Sequence, residues 1–212
     1  MTGWATVASF ATAAGTLVLG AATSYSVRSA NRSARVAERS SQIGLRPILT
    51  ASRQEDPPQR IMFGDRHWVN LEGAQAAVEF ADGVVYLAMM VRNVGNGMAM
   101  IQAWRPAARQ ASSVDGWGRV EDFRAQTRAL WVAPGDVAFW HGTLRKADEE
   151  IYDHIRNAMS QGAISVDRLC RDHEGGQRTI SRFRLIRRDS ENNASEPTWW
   201  TQLTNHHALD EA

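Results

Sequence analysis

The chain has 212 residues, of which 43% are hydrophobic and 22% are charged, and its formal net charge is +1. These proportions are ordinary for a globular protein and exclude a chain that is disordered throughout. The balanced charge predicts no nucleic-acid partner, because proteins that bind phosphate backbones usually carry a strong excess of basic residues.

The first 27 residues contain no charged side chain. A helix from Trp4 to Val27 would be about 36 Å long at 1.5 Å per residue, which exceeds the roughly 30 Å of a hydrocarbon core. We therefore predict a transmembrane anchor over residues 1–27, in which serine and threonine hydroxyls bond to the helix backbone. A cleaved signal peptide, which would lead to export, is the alternative, although it should begin with a positively charged segment.

Four arginines follow the uncharged run at helical spacing: Arg28, Arg32, Arg35 and Arg39. They predict an arginine-rich juxtamembrane helix over residues 28–45 with its charges on one face. Positive charge holds that end of a membrane helix in the cytoplasm. We therefore expect a single span of the inner cell membrane, with the soluble domain in the cytoplasm. The arginines either contact anionic lipid headgroups or only fix the topology of a solvated helix.

Small side chains recur at every fourth residue within the predicted anchor: Ala8, Thr12, Thr16, Gly20 and Ser24. Such a seam lets two helices approach closely, which would form homo-oligomers through the helix. The whole segment is rich in small residues, so a seam of this kind also arises by chance. Self-association stays an open alternative.

Residues 46–188 carry the signals of a mainly β domain, in which short apolar runs alternate with turn residues. Asn96-Gly97 lies between the runs Val84–Val94 and Met98–Trp104, which is typical of a hairpin whose turn residues adopt positive φ. Pro134-Gly135 predicts a type II turn between two further strands.

One helix and a final hairpin complete this domain. Asp148 is a suitable N-cap and Gly162 a natural stop for a helix with an apolar stripe. The runs Ile164–Arg171 and Arg178–Arg188 are predicted to pair with each other. The domain is therefore predicted to be an antiparallel β-sandwich with one inserted α-helix.

The C-terminal tail, residues 189–212, is polar at its start but contains Trp199 and Trp200. Tryptophans in a mobile tail would be unusual, so we expect the segment to dock on the sandwich as a final short strand. The alternative is an exposed aromatic anchor for a partner or for the membrane interface.

A resemblance adds to these patterns. It rests on the Leu45-Arg46-Pro47 strand entry, the segment Arg92-Asn93-Val94-Gly95-Asn96-Gly97-Met98-Ala99, the turn Ala133-Pro134-Gly135-Asp136 and the hairpin Arg171-Asp172-His173-Glu174-Gly175. In this order, after an anchor and a charged helix, they resemble a loose group of uncharacterised bacterial single-pass membrane proteins. Those proteins have a juxtamembrane helix and an immunoglobulin-like β-sandwich. The likeness covers most of residues 1–188 and implies this fold, but no activity.

No motif in the sequence predicts catalysis, a metal site or a cofactor. The P-loop, nucleophile-elbow and dinucleotide-binding patterns do not occur. His206 and His207 should point to opposite faces of a strand, which does not suit a shared metal. The single cysteine, Cys170, cannot form an internal disulfide, so we expect a buried, inert thiol. We therefore expect no cofactor and no enzymatic activity.

Alternation along the last predicted strand places four arginines on one face: Arg178, Arg182, Arg184 and Arg188. Such a face suits an anion or an acidic partner, because guanidinium groups bind carboxylates and phosphates through paired hydrogen bonds. The alternative is an exposed face whose charges are balanced by Asp167 and Asp172 on the neighbouring strand.

Two functions stay open on the sequence, with a third behind them. The first is a membrane-tethered interaction or scaffold module that binds an unknown protein partner or assembles with itself. The second is a cytoplasmic binding or sensor domain for a small anionic ligand at the arginine face. The third is an enzyme of unrecognised type, whose catalytic residues meet only in the folded chain.

Overall fold

The computed structural model describes residues 3–107, 116–146, 149–173, 176–188 and 197–209. The chain divides into two compact units, one over Met1–Gly44 and one over Leu45–Ala212. The first unit is helical and the second is mainly β, as predicted.

The first unit is one continuous helix, α1, over Gly3–Gly44. The predicted anchor and the predicted juxtamembrane helix are therefore parts of a single element. The helix ends at a glycine, three residues before Pro47, and both residue types disfavour its continuation. The side chains that the structure describes over residues 15–17 and 19–44 are all exposed.

Among the described residues, no helix combines the length and the apolar character that crossing a membrane requires. This differs from the prediction of a transmembrane anchor over residues 1–27. The physical reason lies in the composition of the run. Large apolar side chains such as Leu17 and Leu19 are few, and alanine, glycine, serine and threonine dilute them.

The second unit contains eleven strands in its described part. They are β1 (Leu49–Ala51), β2 (Gln59–Met62), β3 (Trp68–Leu71), β4 (Gln75–Ala81), β5 (Val84–Asn93), β6 (Ala99–Pro106), β7 (Arg124–Val132), β8 (Val137–Arg145), β9 (Ala163–Arg171), β10 (Arg178–Arg188) and β11 (Thr198–Leu209). A short 3-10 helix over Val120–Asp122 precedes β7, and the helix α2, Glu149–Ser160, lies between β8 and β9.

Nine of the described strands form one antiparallel sheet in the order β1-β5-β4-β11-β10-β9-β6-β7, with β8 also paired to β5. The strands β2 and β3 form a separate pair. The large sheet folds over on itself, because Trp104 on β6 and Trp140 on β8 are in contact although their strands are far apart in this order. The main core fills the space enclosed by this fold.

The strand β5 lies at the centre of the domain and is covered on both faces. One face contributes to the main core, in which Tyr152 and Ile155 of α2 are also buried. The other face packs against the two-stranded sheet, with Tyr86 and Met90 in one cluster with Phe63. Residues Val84–Val91 are accordingly all buried, which explains the continuous apolar run in the sequence.

The segment Asn96-Gly97 does not form the predicted hairpin. The strand β5 pairs with β1, β4 and β8, whereas β6 pairs with β7 and β9. Neither residue has a positive φ. Gly97 is required for another reason, since a Cβ there would collide with the carbonyl oxygen of Leu45. The prediction was wrong because asparagine and glycine suit any tight turn. Such a turn can also connect two strands that pair with other strands rather than with each other.

Asn93 holds this connection in place through a fully buried side chain. Its amide nitrogen donates to the carbonyl oxygens of Gly97, at 2.7 Å, and Val132, at 3.0 Å. Its amide oxygen accepts from the backbone N–H groups of Ile48, at 3.2 Å, and Gly95, at 3.1 Å. All four hydrogen-bonding positions of the amide are used, which ties three separate segments together.

The turn at Pro134-Gly135 is confirmed, with Gly135 at a φ of 80° as a type II turn requires. The strands on either side join different neighbours, since β7 pairs with β6 and β8 with β5. A true two-residue hairpin connects β4 and β5 instead, at Asp82-Gly83, with φ values of 51° and 76°. Asp-Gly is typical of such a turn, and our sequence analysis overlooked it.

The last predicted hairpin is confirmed, because β9 and β10 pair antiparallel with Arg171 opposite Arg178. Gly162 follows α2 with a φ of 72°, as a helix stop does. The predicted N-cap Asp148 and the turn residues 174 and 175 lie outside the described residues. The C-terminal residues 198–209 form β11, which lies between β10 and β4 inside the sheet.

Candidate functional site

The residues singled out in the N-terminal segment lie along α1. Its four predicted lipid contacts are exposed: Arg28, Arg32, Arg35 and Arg39. Within the small-residue seam, Thr16, Gly20 and Ser24 are exposed as well, and Ser24 Oγ donates to the carbonyl oxygen of Gly20 at 2.9 Å. The side chains of Ala8 and Thr12 lie outside those that the structure describes.

The four arginines of β10 share one strand face but differ in their surroundings. Arg184 and Arg188 are exposed, Arg178 is half-buried and Arg182 is buried. Burial of one arginine follows from the register, which places Arg182 directly opposite Asp167 on β9. The predicted face is therefore divided between an exposed end and a buried ion pair.

Asp167 is fully buried and is bound by two arginines, one from each neighbouring strand. Arg182 donates through Nε to Oδ1 at 2.6 Å and through Nη2 to Oδ2 at 2.9 Å. Arg105 on β6 donates through Nε and Nη2 to Oδ2, at 3.1 Å and 2.9 Å. Both arginines also donate to the carbonyl oxygen of Gly116. Two cations thus share one carboxylate, whose oxygens are already occupied.

Aromatic rings enclose this ion-pair network. The guanidinium carbon of Arg182 lies 4.5 Å from the ring centroid of Trp117, which stacks on His207 with centroids 5.2 Å apart. The guanidinium of Arg105 lies 5.4 Å from the ring of Phe123. Such faces attract cations and exclude water. The network therefore contributes mainly to the structure of this side of the sheet.

The opposite side of the same strands carries a second polar row, which sequence reasoning did not identify. Its members face each other across four adjacent strands: Trp104 on β6, Arg168 on β9, Ser181 on β10 and His206 on β11. Directly opposite residues of antiparallel strands share a face. This row, which we call the inner row, points into the main core.

Arg168 is the centre of the inner row and has no exposed surface. Its guanidinium carbon lies 3.0 Å from the ring centroid of Trp140. Among the described residues, none of its three side-chain nitrogens has a hydrogen-bond partner. Burial lowers the pKa of Arg168 well below its ordinary value, because a charged guanidinium loses its hydration there.

Ser181 and His206 form a close pair beside Arg168. Ser181 is fully buried, and its Oγ lies 2.9 Å from Nδ1 of His206. Burial lowers the pKa of His206, and the nearby Arg46 and His207 lower it further, which favours a neutral imidazole. The other ring nitrogen, Nε2, is buried and has no hydrogen-bond partner in the described part of the chain.

A signal for the inner row does exist in the sequence. Along β9 the residues at alternate positions are Ile164, Val166, Arg168 and Cys170. An arginine in phase with three apolar residues is placed on the buried face by alternation alone. Cys170 is indeed buried, which confirms the prediction for it, and burial raises the pKa of its thiol to about 12.

Comparison with known proteins adds no relationship to this geometry. No protein-family model matches the chain, and no curated protein is significantly similar to it.

Proposed function

We propose that this protein is a membrane-associated interaction module, in which α1 binds the bilayer and the β domain binds a protein partner. The observation that carries the proposal is the exposure of α1. Its side chains over residues 15–17 and 19–44 are exposed in a helix of 42 residues, including Leu17 and Tyr25 at 75% and 78%. Helices in proteins gain most of their stability from packing. In this proposal a bilayer supplies that packing.

The charge pattern of α1 favours a bilayer with anionic lipids as that partner. Uncharged residues precede Arg28, and four arginines then line one face of the same helix. This arrangement places an apolar segment against lipid and cations at the headgroups. Two hydroxyls of the uncharged part already bond to backbone carbonyls, Thr23 to Leu19 at 2.7 Å and Ser24 to Gly20. Such bonds lower the cost of placing a hydroxyl in lipid.

In this proposal the β domain is the binding part, an immunoglobulin-like sandwich on the cytoplasmic side of the inner membrane. The positive charge that follows the uncharged run supports this orientation. The proposed partner is a protein, and Trp131 and Met62, each 52% exposed, are among the side chains available to contact it. The anionic-ligand alternative at the outer arginine face is weakened, because Arg182 is bound to Asp167.

Flotation of the purified full-length chain with lipid vesicles tests the proposal. We expect the chain to float with vesicles of phosphatidylglycerol at 0.1 M salt, and to float less with neutral phosphatidylcholine. Replacing the four arginines of α1 by glutamine should reduce flotation with the anionic vesicles. Raising the salt concentration to 1 M should also reduce flotation with the anionic vesicles, because the Debye length falls to about 3 Å and the attraction between arginines and headgroups is screened.

A triple variant of exposed and half-buried arginines in the β domain is the matched control: Arg178→Gln, Arg184→Gln and Arg188→Gln. It removes comparable charge from the other unit and should leave flotation unchanged. Flotation that persists at 1 M salt would indicate insertion of the apolar segment rather than surface binding. A chain that stays with neither kind of vesicle would contradict the proposal.

A further inference from the structure

Among the described residues, no carboxylate forms an ion pair or a hydrogen bond with Arg168 of the inner row. The carboxylate next to it in sequence, Asp167, faces the other side of β9 and is bound by Arg105 and Arg182. The oxygens of this carboxylate are therefore occupied by two arginines on the side of the sheet that Arg168 does not face. Cys170 does not supply the missing charge, because burial keeps its thiol protonated at neutral pH. A buried guanidinium without a hydrogen-bond acceptor is costly, and an oxyanion bound to it would offset that cost.

Hydrogen-bond donors of the inner row lie on one face of the sheet. Arg168 offers three nitrogens that bond to nothing in the described residues, and His206 offers Nε2 when Nδ1 accepts the Ser181 hydroxyl. Ser181 lies between them on the strand that separates β9 from β11. A planar guanidinium fork matches two oxygens of a carboxylate or phosphate, and an N–H group on the same face of the sheet can donate to such an anion as well.

We propose that Arg168, Ser181 and His206 form a binding site for a small oxyanion, a carboxylate or a phosphate, inside the β domain. The guanidinium binds two oxygens, and the imidazole N–H binds a third or shares one. Trp104 and Trp140 form the apolar wall of the site, since their rings meet beside Arg168. Arg168 has no exposed surface. The anion therefore enters when the domain folds or opens, and it exchanges slowly.

This inference does not depend on membrane association, because it concerns only the β domain. It does relocate the anion site expected from the sequence, from the outer arginines of β10 to the buried face of β9. The two positions are separated by the sheet itself, so variants on each face distinguish them.

Thermal unfolding of the full-length chain tests the site, with phosphate, acetate or chloride added at low millimolar concentration and constant ionic strength and pH. We expect phosphate or acetate to raise the Tm relative to chloride, by roughly 5–10 °C at a hundredfold excess over the Kd. The anion that gives the larger rise identifies the ligand as phosphate-like or carboxylate-like.

Arg168→Met removes the guanidinium while keeping an unbranched apolar side chain, and it should abolish the rise. Arg184→Met removes an exposed arginine from the outer face of β10 and should keep the full rise. An equal Tm of the wild-type chain in all three salts would overturn the proposal. So would a rise of the same size in Arg168→Met, which would reflect general salt effects on the protein surface.

A second variant keeps the test valid if Arg168→Met does not fold. His206→Ala removes the imidazole donor and leaves Arg168 in place. A smaller rise in this variant supports the site, and an unchanged rise overturns the role of His206 in it. Native mass spectrometry of the wild-type chain, purified in the effective anion, should then detect one bound oxyanion per chain, and its absence would overturn the proposal.

Discussion

The ring of Trp104 on β6 meets the ring of Trp140 on β8 edge to face, with centroids 5.1 Å apart and planes 68° apart. Gly142 makes this contact possible, because it lies two residues beyond Trp140 on the same face of β8. A Cβ at Gly142 would lie 2.7 Å from Cζ2 of Trp140 and 2.8 Å from Cζ2 of Trp104. The closure of the sheet over its core thus depends on a residue without a side chain.

Gly142→Ala should therefore lower the free energy of unfolding by roughly 1–3 kcal/mol, the usual cost of overpacking a filled core. Denaturant unfolding of the full-length chain measures this. Gly64→Ala is the matched control, since a Cβ at Gly64 meets nothing within 4 Å. Equal stability of the two variants would show that the tryptophan rings move apart without cost.

Asp167→Asn should destabilise the domain by roughly 3–5 kcal/mol, because it leaves Arg105 and Arg182 without their buried carboxylate. Glu121→Gln breaks an ion pair with Arg119 whose side chains are 71% and 80% exposed. That control should cost less than about 1 kcal/mol. A small effect of Asp167→Asn in the same denaturant assay would mean that the two arginines find other acceptors.

Asn93→Asp should cost more than about 2 kcal/mol, although it changes only one atom of the side chain. The carboxylate no longer donates to the carbonyl oxygens of Gly97 and Val132, so each of these oxygens loses a buried hydrogen bond. Asn70→Asp, at an exposed position of β3, is the control and should have little effect. The difference in denaturation midpoint between the two variants measures the contribution of the buried amide.

The alkaline stability of the chain should depend on Tyr86. Its hydroxyl donates to Asp65 at 2.7 Å, and this bond, with burial, raises the pKa of Tyr86 from 10.0 to about 12. Above pH 10 the unfolded tyrosine loses its proton while the folded one keeps it. Stability from this group is therefore complete below pH 10 and is lost as pH rises toward 12, by roughly 2–3 kcal/mol.

Tyr86→Phe should show a smaller loss over this range, as measured by denaturant midpoints at successive pH values. Asp65→Asn should also reduce the loss, because it removes the carboxylate that raises the pKa most. If both variants lose stability as steeply as the wild-type chain, another group controls the alkaline transition.

Local patterns predicted those parts of this protein that depend on neighbouring residues in sequence. Alternation and turn chemistry identified β9 and β10 as a hairpin, and they placed the arginines of β10 together on one face. The same reasoning failed at Asn96-Gly97. Whether β5 and β6 form a hairpin depends on which other strands pair with β5, and these are β1, β4 and β8 rather than β6.

The sequence by itself determined that the second unit is mainly β and that Cys170 is buried. It also contains an alternation, unused in the predictions, that puts Arg168 in phase with apolar residues. Each follows from the two-residue period of a strand and from the apolar character of its neighbours. Only the tertiary structure decided that Arg168 meets Trp140, that Ser181 meets His206 and that Arg182 binds Asp167. Those contacts depend on strand order and register, which are set by packing over the whole sheet rather than by any local run of residues.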